Sequence, residues 1–236
     1  NPLIKEKMDL DIQVQKLKLL KSNFLSEKYA LEDKIIKYYP QRITALENRI
    51  EGLKQDVETA KQHPKPTEDR FVGMEVKGVF YSEKADAGKA RSEACKQMNS
   101  PDPIPLGKYR GFETELLFNT AERNYEVRLK GATSRNVPLG DDAYGNIIRL
   151  DNGIERFAES LSLAENDLEN TQNQLETAKK EVQKPFIQEE ELKTKLARLD
   201  ELNILLNMDK RENEIVGGEP DEGEETPEKK PRDLER

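Results

Sequence analysis

Apolar residues recur at alternating intervals of three and four in two long stretches, and this heptad spacing constrains the fold most. The first stretch runs from Tyr39 to Val57 and the second from Ile154 to Val182. A repeat of about 3.5 residues keeps one apolar seam along a helix, so each stretch needs a helical partner. The nearest partner of each stretch is the other one, folded back antiparallel. The predicted coiled-coil seam comprises Ile43, Leu46, Ile50, Leu53, Val57, Ile154, Phe157, Leu161, Leu168, Leu175 and Val182.

The composition fits long solvated helices around a narrow seam better than one large globule. Of the 236 residues, 36% are charged and 34% are apolar, and there is no tryptophan. The net charge of −8 argues against a wholly basic nucleic-acid-binding protein but leaves room for a local basic surface. With one cysteine and one histidine, neither an internal disulfide nor a structural zinc site is expected. The single cysteine fits a reducing compartment, and neither a signal-peptide pattern nor an apolar run long enough to span a bilayer occurs in this sequence, so we expect a cytoplasmic protein.

The segment between the two helical arms changes period and predicts a small head of strands and one helix. Pro64 and Pro66 stop the first arm, and Asn152 is the predicted N-cap of the second. Loops are expected over residues 99–105 and 131–145. In chain order, the patterns predict a strand over 72–80, a helix over 83–98, a hairpin of strands near 108–119 and 125–130, and a strand over 147–150.

The predicted fold class is therefore α+β, a long antiparallel coiled-coil hairpin that carries an inserted β-α-β-β-β head. Pro40 and Pro185 are expected to interrupt the arms, because proline lacks the backbone donor of a helical turn. After Glu212 the chain is rich in Gly, Glu and Pro, which predicts a disordered acidic tail. The predicted boundaries are 1–62 for the first arm, 63–152 for the head, 153–208 for the second arm and 209–236 for the tail.

No motif for nucleotide binding or nucleophilic catalysis is complete. The run Gly107–Gly111 is only superficially similar to a phosphate-binding loop. The pair Asp141–Asp142 lacks the ligand spacing of a calcium loop. Cys95 on an alanine-rich helix and His63 in a proline-rich linker are not expected to act together as nucleophile and base. We therefore expect no catalytic residue, no metal ligand and no cofactor site in this chain.

The predicted head carries enough cations for a local nucleic-acid surface. Cations bind phosphates, and exposed aromatic side chains can stack on bases. The alternative is a solvated sheet face of mixed charge, in which glutamates pair across strands with Arg128 or Lys130. The sequence leaves both interpretations open. The candidate nucleic-acid-binding residues are Lys108, Tyr109, Arg110, Arg128, Lys130, Arg135 and Arg149.

Five short runs of the sequence carry a resemblance to a known protein family. They are Asn1–Asp11, Leu17–Lys21, Gly78–Tyr81, Ala87–Ala90 and Lys108–Glu113. Together they resemble the C-terminal region of very large bacterial proteins that join a Swi/Snf-type helicase to an adenine-specific DNA methylase. Those proteins travel on conjugative elements and phages. The resemblance extends over roughly residues 1–205, and none of the family's helicase motifs or its methylase motif occurs in this chain.

The resemblance implies a parent polypeptide that acts on DNA with ATP and S-adenosylmethionine. This chain would be a non-catalytic accessory module that positions DNA or another domain of that parent. The alternative is a purely structural interaction module, whose arms pair between chains or clasp another region of the parent. The similar lengths of the two arms favour a monomeric hairpin over a homodimer, and no membrane partner is expected.

Overall fold

The fold is α+β, as predicted, with long helices and one antiparallel sheet. A computed structural model describes residues 2–66 and 70–216, with side chains up to residue 207. The chain divides into two compact units. Of the described residues, one unit contains 2–30 and 184–216, and the other contains 31–66 and 70–183.

The first unit is built on a pair of helices, most of α1 (Pro2–Asp33) and α5 (Glu189–Val216). The start of α1 lies beside the middle of α5, since Glu6 pairs with Arg198 at 2.9 Å. Farther along α1, Lys21 pairs with Glu189 at 2.7 Å, so the two helices run antiparallel. Their shared apolar cluster contains Val14, Leu17, Leu192 and Leu199.

Both predicted interruptions of the helical arms are confirmed. Residues Lys34–Tyr38 form a π-helix, in which the Tyr39 N–H donates to the carbonyl of Lys34, five residues back. Pro40 lies in the first turn of the helix that follows, α2 (Tyr39–Gln62), where its missing N–H costs no hydrogen bond. The second interruption falls at Pro185, between α4 (Ala143–Glu181) and the start of α5.

The second unit contains a six-stranded sheet in which all neighbouring strands are antiparallel and the order is β2-β1-β3-β4-β5-β6. Its outermost strands are short. β2 has three residues, and β6 ends at Pro138. The strands are β1 (Met74–Val76), β2 (Val79–Tyr81), β3 (Ile104–Tyr109), β4 (Phe112–Asn119), β5 (Asn124–Lys130) and β6 (Ser134–Pro138).

One face of this sheet forms the core. Alternate residues of β4 and β5 point inward, as the predicted hairpin requires, and Phe112, Leu116 and Val127 are completely buried. Helix α3 (Lys84–Lys96) packs against β1 and β2, and the beginning of α4 packs against β5 and β6. The rings of Phe112 and Phe157 stack at 5.1 Å and join the sheet to α4.

Helices α2 and α4 pack side by side within the second unit. Residues 42–49 of α2 lie beside residues 160–167 of α4, and residues 57–61 lie beside residues 154–158. The two helices therefore run antiparallel. Of the predicted seam residues, Leu46, Ile50, Leu53, Ile154 and Phe157 are buried, and Ile43, Val57, Leu161, Leu168, Leu175 and Val182 are half-buried.

The predicted strand over 147–150 is wrong, because α4 already begins at Ala143. The Asp142 side chain caps this helix and accepts hydrogen bonds from the N–H groups of Tyr144 and Gly145, at 3.0 and 2.8 Å. Asn152, the predicted N-cap, is an exposed residue inside the helix. The apolar run near 147–150 continues the heptad of the second arm by two turns, and Gly145 and Gly153 conceal that continuity from a sequence pattern.

The predicted β-α-β-β-β order of the head is also wrong. The stretch over 72–80 is a hairpin of β1 and β2, because Lys77 and Gly78 both adopt positive φ values, 48° and 80°, and reverse the chain. Residues 104–105, assigned to a loop, begin β3, and the predicted loop 131–145 contains β6. The helix over 83–98 is confirmed as α3.

The predicted acidic tail overlaps a helix at its start. Helix α5 extends to Val216 and so covers residues 209–216. The remainder of the predicted tail, residues 217–236, lies outside the described residues. Among the helices that the structure describes, none combines the length and the apolar character required to cross a membrane.

Candidate nucleic-acid interface

Two of the predicted nucleic-acid-binding residues, Tyr109 and Arg110, belong to a buried polar cluster at the turn between β3 and β4. The Arg110 side chain is 1% exposed, and its Nη1 lies 2.9 Å from Asp151 Oδ1. Its Nη2 donates to Glu155 at 2.8 Å, and its Nε donates to the carbonyl of His63 at 2.9 Å. The Tyr109 hydroxyl donates to the same Asp151 oxygen at 3.0 Å. This guanidinium is therefore committed to the protein's own acceptors.

The same cluster changes the acidity of Tyr109. Burial, reinforced by the negative charge of Asp151, raises the pKa of the Tyr109 hydroxyl far above its usual range, although Arg110 acts in the opposite direction. The hydroxyl consequently stays protonated and serves as a hydrogen-bond donor. Tyr109 is 1% exposed, so its ring has no surface on which a base could stack.

Lys108, Arg128 and Lys130 lie on the outer face of the sheet, where charges of opposite sign alternate across strands. Lys108 stands opposite Glu75 on β1 and Glu113 on β4. The carboxylate of Glu115 lies 3.4 Å from Arg128 Nη1 and 3.1 Å from Lys130 Nζ. Cross-strand pairs of this kind neutralise the face locally. It has the mixed-charge character that the sequence left open as the alternative to a nucleic-acid surface.

The remaining two candidates, Arg135 and Arg149, lie on another side of the second unit. Together with Arg156 they line a cleft of about 220 Å³ between β6 and the first turns of α4. Gly153 lets the helix approach the strand here, because a Cβ at this position would lie 2.6 Å from Val137 Cγ2. The close approach brings three guanidinium groups from a strand and a helix to one cleft.

Two further arginines extend this cationic surface along the helix pair. Arg49 and Arg135 line a second cleft of about 270 Å³, which also includes Ser160. Arg42 and Arg49 line a third of about 340 Å³ beside Asp167. We refer to Arg42, Arg49, Arg135, Arg149 and Arg156 as the arginine row.

Within the described residues, no ion-pair partner is found for the arginine row. Arg42, Arg49, Arg149 and Arg156 are exposed, and none of them forms a salt bridge with a residue in the described part of the chain. Like charges gathered in this way leave a positive potential that an external anion can relieve. Asp167 lines the third cleft, and Glu159 lies close enough to Arg135 to raise the pKa of that guanidinium.

Arg135 is the best-anchored member of the row. Its guanidinium lies over the Phe157 ring at 5.6 Å, and it donates to the carbonyl of Arg156 at 3.3 Å and to the Ser160 hydroxyl. Burial, assisted by the charges of Arg156 and Arg49, lowers the pKa of Arg135, although Glu159 opposes this. Within the described residues its buried Nε has no hydrogen-bond partner. The side chain is thus held in place in an environment that favours an added negative charge.

A buried carboxylate positions α2 for this surface. Asp56 accepts hydrogen bonds from the N–H groups of Ala132 and Thr133, at 2.7 and 2.8 Å, and from the Thr133 hydroxyl. These contacts fix α2 against the β5–β6 turn, which lies next to Arg135 in sequence. The relative position of Arg49 and Arg135 depends on this attachment.

Sequence reasoning missed three members of the row, Arg42, Arg49 and Arg156. A signal was available, since Arg42 and Arg49 are seven residues apart, and so are Arg149 and Arg156. Seven residues nearly complete two helical turns, so each pair shares a helix face. The sequence does not show that the arginine-bearing faces of α2 and α4 lie next to each other and next to β6.

A larger cavity of about 710 Å³ lies near the end of α2. Its walls include Phe80, Tyr109 and Arg110, and its rim includes Pro66. Pro66 adjoins residues 67–69, which lie outside the described part of the chain. This cavity shares no residue with the arginine row.

The surroundings of the single cysteine and of the single histidine do not favour nucleophilic catalysis. Cys95 is half-buried on α3, and burial raises the pKa of its thiol, which disfavours the nucleophilic thiolate. His63 is exposed at the end of α2, where its Nδ1 lies 3.1 Å from the Thr59 carbonyl.

Comparison with known proteins identifies no family: the chain matches no family model, and neither a curated protein nor a solved structure is significantly similar to it.

Proposed function

We propose that this chain is a non-catalytic accessory module of a DNA helicase/methylase-like protein and that it positions DNA through the arginine row. The observation that carries the proposal is the presence of five arginines along three adjoining clefts, without a salt-bridge partner among the residues that the structure describes. An unpaired guanidinium gains most from a phosphate, which it can bind through two parallel hydrogen bonds. In this proposal the contact surface consists of α2, β6 and α4.

The helices act as a spacer in this proposal. The antiparallel pairs α1–α5 and α2–α4 support a coiled-coil hairpin of the two arms within one chain, and hence a monomer. The partners are DNA and other domains of the parent polypeptide. ATP and S-adenosylmethionine would bind elsewhere in that bacterial, cytoplasmic parent, and we propose no cofactor or catalytic residue for this chain.

The central test compares two pairs of arginine and lysine substitutions. The chain with Arg49→Gln and Arg156→Gln removes two members of the row, both exposed on helices. The matched control, Arg128→Gln with Lys130→Gln, removes the same charge from the neutralised sheet face. Binding to fluorescein-labelled DNA is measured by anisotropy from 50 to 200 mM salt.

We expect the first pair to weaken binding at least tenfold and the control pair to leave it within twofold. Loss of two phosphate contacts should also make the dependence on salt less steep. Equal weakening by both pairs would mean that net charge, and not the arginine row, governs binding. Unchanged binding in the first pair would overturn the assignment of the surface.

A second candidate function, a purely structural interaction module, is favoured by one observation in the first unit. Helix α1 has an exposed apolar stripe formed by Ile4, Met8, Ile12 and Leu19, which are 49%, 62%, 69% and 62% exposed. Contiguous exposed apolar residues are typical of protein–protein contacts. This stripe lies on a different face of α1 from Val14 and Leu17, which are buried.

Mass in solution separates the two functions. If the stripe mediates self-association, light scattering on the 236-residue chain gives a dimer that Met8→Asp with Ile12→Asp converts to a monomer. A monomer across the micromolar range, with unchanged DNA binding in that double variant, favours the first function. The upstream reading frame of the parent supplies independent support if it encodes helicase and methylase motifs.

A further inference from the structure

We infer that the arginine row binds duplex DNA in preference to single-stranded DNA, and that it does so through the phosphate backbone without reading sequence. This inference rests on the proposed function and specifies the form of its ligand. Three features of the surface point to it: the length and rigidity of the row, the side chains that line its clefts, and the convergence of charge at one end.

The row is long, and regular secondary structure fixes it. Arg149 and Arg156 are about 10.5 Å apart along α4, from a rise of about 1.5 Å per residue. Arg42 lies beside residues 163–167 of the same helix, so the row extends about 21–27 Å from Arg149. That distance is roughly two-thirds of a turn of B-DNA, whose pitch is about 34 Å. A stiff duplex presents phosphates over such a length without bending, whereas a flexible strand must be ordered to follow it.

The side chains in the clefts are unsuited to unpaired bases. Proteins that bind single strands combine cations with exposed aromatic rings on which bases stack. Among the described residues that line the three clefts, the one aromatic side chain is Phe157, which is 1% exposed and lies beneath Arg135. A single strand would therefore gain charge contacts here but no stacking.

Besides the arginines, two amide side chains line the cleft between β6 and α4, those of Asn136 and Asn152. The amide of Asn136 is already engaged: its nitrogen donates to Glu126 at 3.0 Å, and its oxygen accepts from Arg128 at 3.1 Å. Phosphate contacts set orientation without selecting sequence. Duplexes of unrelated sequence should consequently bind alike.

Charge is most concentrated in the cleft between β6 and α4. Arg135, Arg149 and Arg156 meet there around a volume of about 220 Å³, and none of the described residues that line it is acidic. A phosphate group fits this space and would meet donors from both a strand and a helix. We assign this cleft as the anchor of the row, with Arg49 and Arg42 contacting phosphates farther along the duplex.

The experiment measures anisotropy of the full 236-residue chain with a labelled 20-base-pair duplex, an unrelated duplex and each separated strand. For five phosphate contacts, log K should fall with log salt with a slope of about −4.5, which is about 500-fold between 50 and 200 mM. Both duplexes should bind equally and at least tenfold more tightly than either strand. Arg156→Gln should reduce the slope by about 0.9, and Lys130→Gln should leave it unchanged.

The possible failures are distinguishable. Equal or tighter binding of the separated strands leaves the proposed function standing and overturns the preference for duplex. A clear difference between the two duplexes overturns backbone recognition, and an unchanged slope in Arg156→Gln overturns the assignment of the anchor. If neither duplex nor single strands bind at 50 mM salt, the proposed function fails together with this inference. Far-ultraviolet circular dichroism verifies that each variant keeps its helices.

Discussion

Arg110 and Arg156 are the same residue type in one compact unit, yet their surroundings have little in common. The Arg110 side chain is 1% exposed and engages two carboxylates and a main-chain carbonyl. Arg156 is exposed and lies among other arginines without a salt bridge in the described part of the chain. The guanidinium of Arg110 therefore binds acceptors within the protein, whereas that of Arg156 is accessible to a ligand. The difference shows that a basic surface is defined by missing partners and not by the number of cations.

The physical reason for this division is the cost of desolvation. A buried guanidinium must be compensated by acceptors, and removal of a buried carboxylate partner leaves an uncompensated charge. An exposed guanidinium keeps its water and requires no partner. Substitutions at buried and at exposed charged groups should therefore differ in their effect on stability.

The largest effect is expected at Asp151, the shared acceptor of Tyr109 and Arg110. Asp151→Ala leaves a buried cation and a buried hydroxyl without their partner, so the free energy of unfolding should fall by about 3–5 kcal/mol. Urea denaturation monitored by circular dichroism measures it. Glu155→Ala is the control, since that side chain is 53% exposed and its loss should cost less than about 1 kcal/mol. Similar losses for both substitutions would show that burial does not distinguish them.

The next effect concerns Asp56, which attaches α2 to the β5–β6 turn. Asp56→Ala removes the acceptor of the Ala132 and Thr133 N–H groups, which lie in part-buried contacts, and we expect a loss of about 1–3 kcal/mol in the free energy of unfolding. Glu58→Ala, two residues along the same helix and exposed, serves as the control. Because the attachment also aligns Arg49 with Arg135, DNA binding should weaken in Asp56→Ala at temperatures where it is still folded. Full binding in the folded variant would contradict that role.

A pH effect is expected from the raised pKa of Tyr109. The folded state holds this proton more tightly than the unfolded chain, in which the pKa is about 10. Its stabilisation is therefore complete below pH 10 and is lost as the pH rises beyond that value. The loss should approach about 1.4 kcal/mol per pH unit.

Comparison with Tyr109→Phe isolates this contribution from the titration of lysines. Phenylalanine cannot ionise, so the stability of the variant should decline less steeply than that of the parent chain between pH 10 and 11.5. Denaturation at four or five pH values in this range measures both slopes. Parallel curves would show that the hydroxyl titrates alike in the folded and unfolded states.

The smallest effect is expected on the outer face of the sheet. Arg128 and Lys130 share Glu115 in partly exposed pairs, and such pairs contribute little to stability. Arg128→Gln with Lys130→Gln should change the free energy of unfolding by less than about 1 kcal/mol. Thermal denaturation checks this, and a large loss would show that the face carries more than solvated charge.

The elements that the sequence predicted correctly are those whose signal is local. The seam residues Leu46, Ile50 and Phe157 repeat with helical spacing and are buried, and the β4–β5 hairpin follows an alternation over most of its length. The prediction of a strand near 147–150 failed because its apolar residues are compatible with both a strand and a helix. Ile147 and Leu150 suit a strand as well as a helix, and the Asp142 cap that selects the helix lies five residues before Ile147.

The candidate site was predictable only in part, because it depends on contacts between distant segments. Arg135 and Arg149 were among the predicted residues, but nothing in their spacing separates them from Arg110, whose acceptor Asp151 lies 41 residues away. The heptad spacing of Arg42 and Arg49 was visible in the sequence. The sequence did not show that this face of α2 lies beside β6. That position results from the packing of α2 against α4.

The shortness of the outermost strands has a consequence for how this protein can assemble. An open sheet edge is a template on which a further strand, from another copy or a fibril, can add. β2 offers three residues, and β6 ends at Pro138, which has no N–H to donate. Growth by strand addition is therefore blocked at both margins. The sheet of the second unit thus offers little template for polymerisation between copies of the chain.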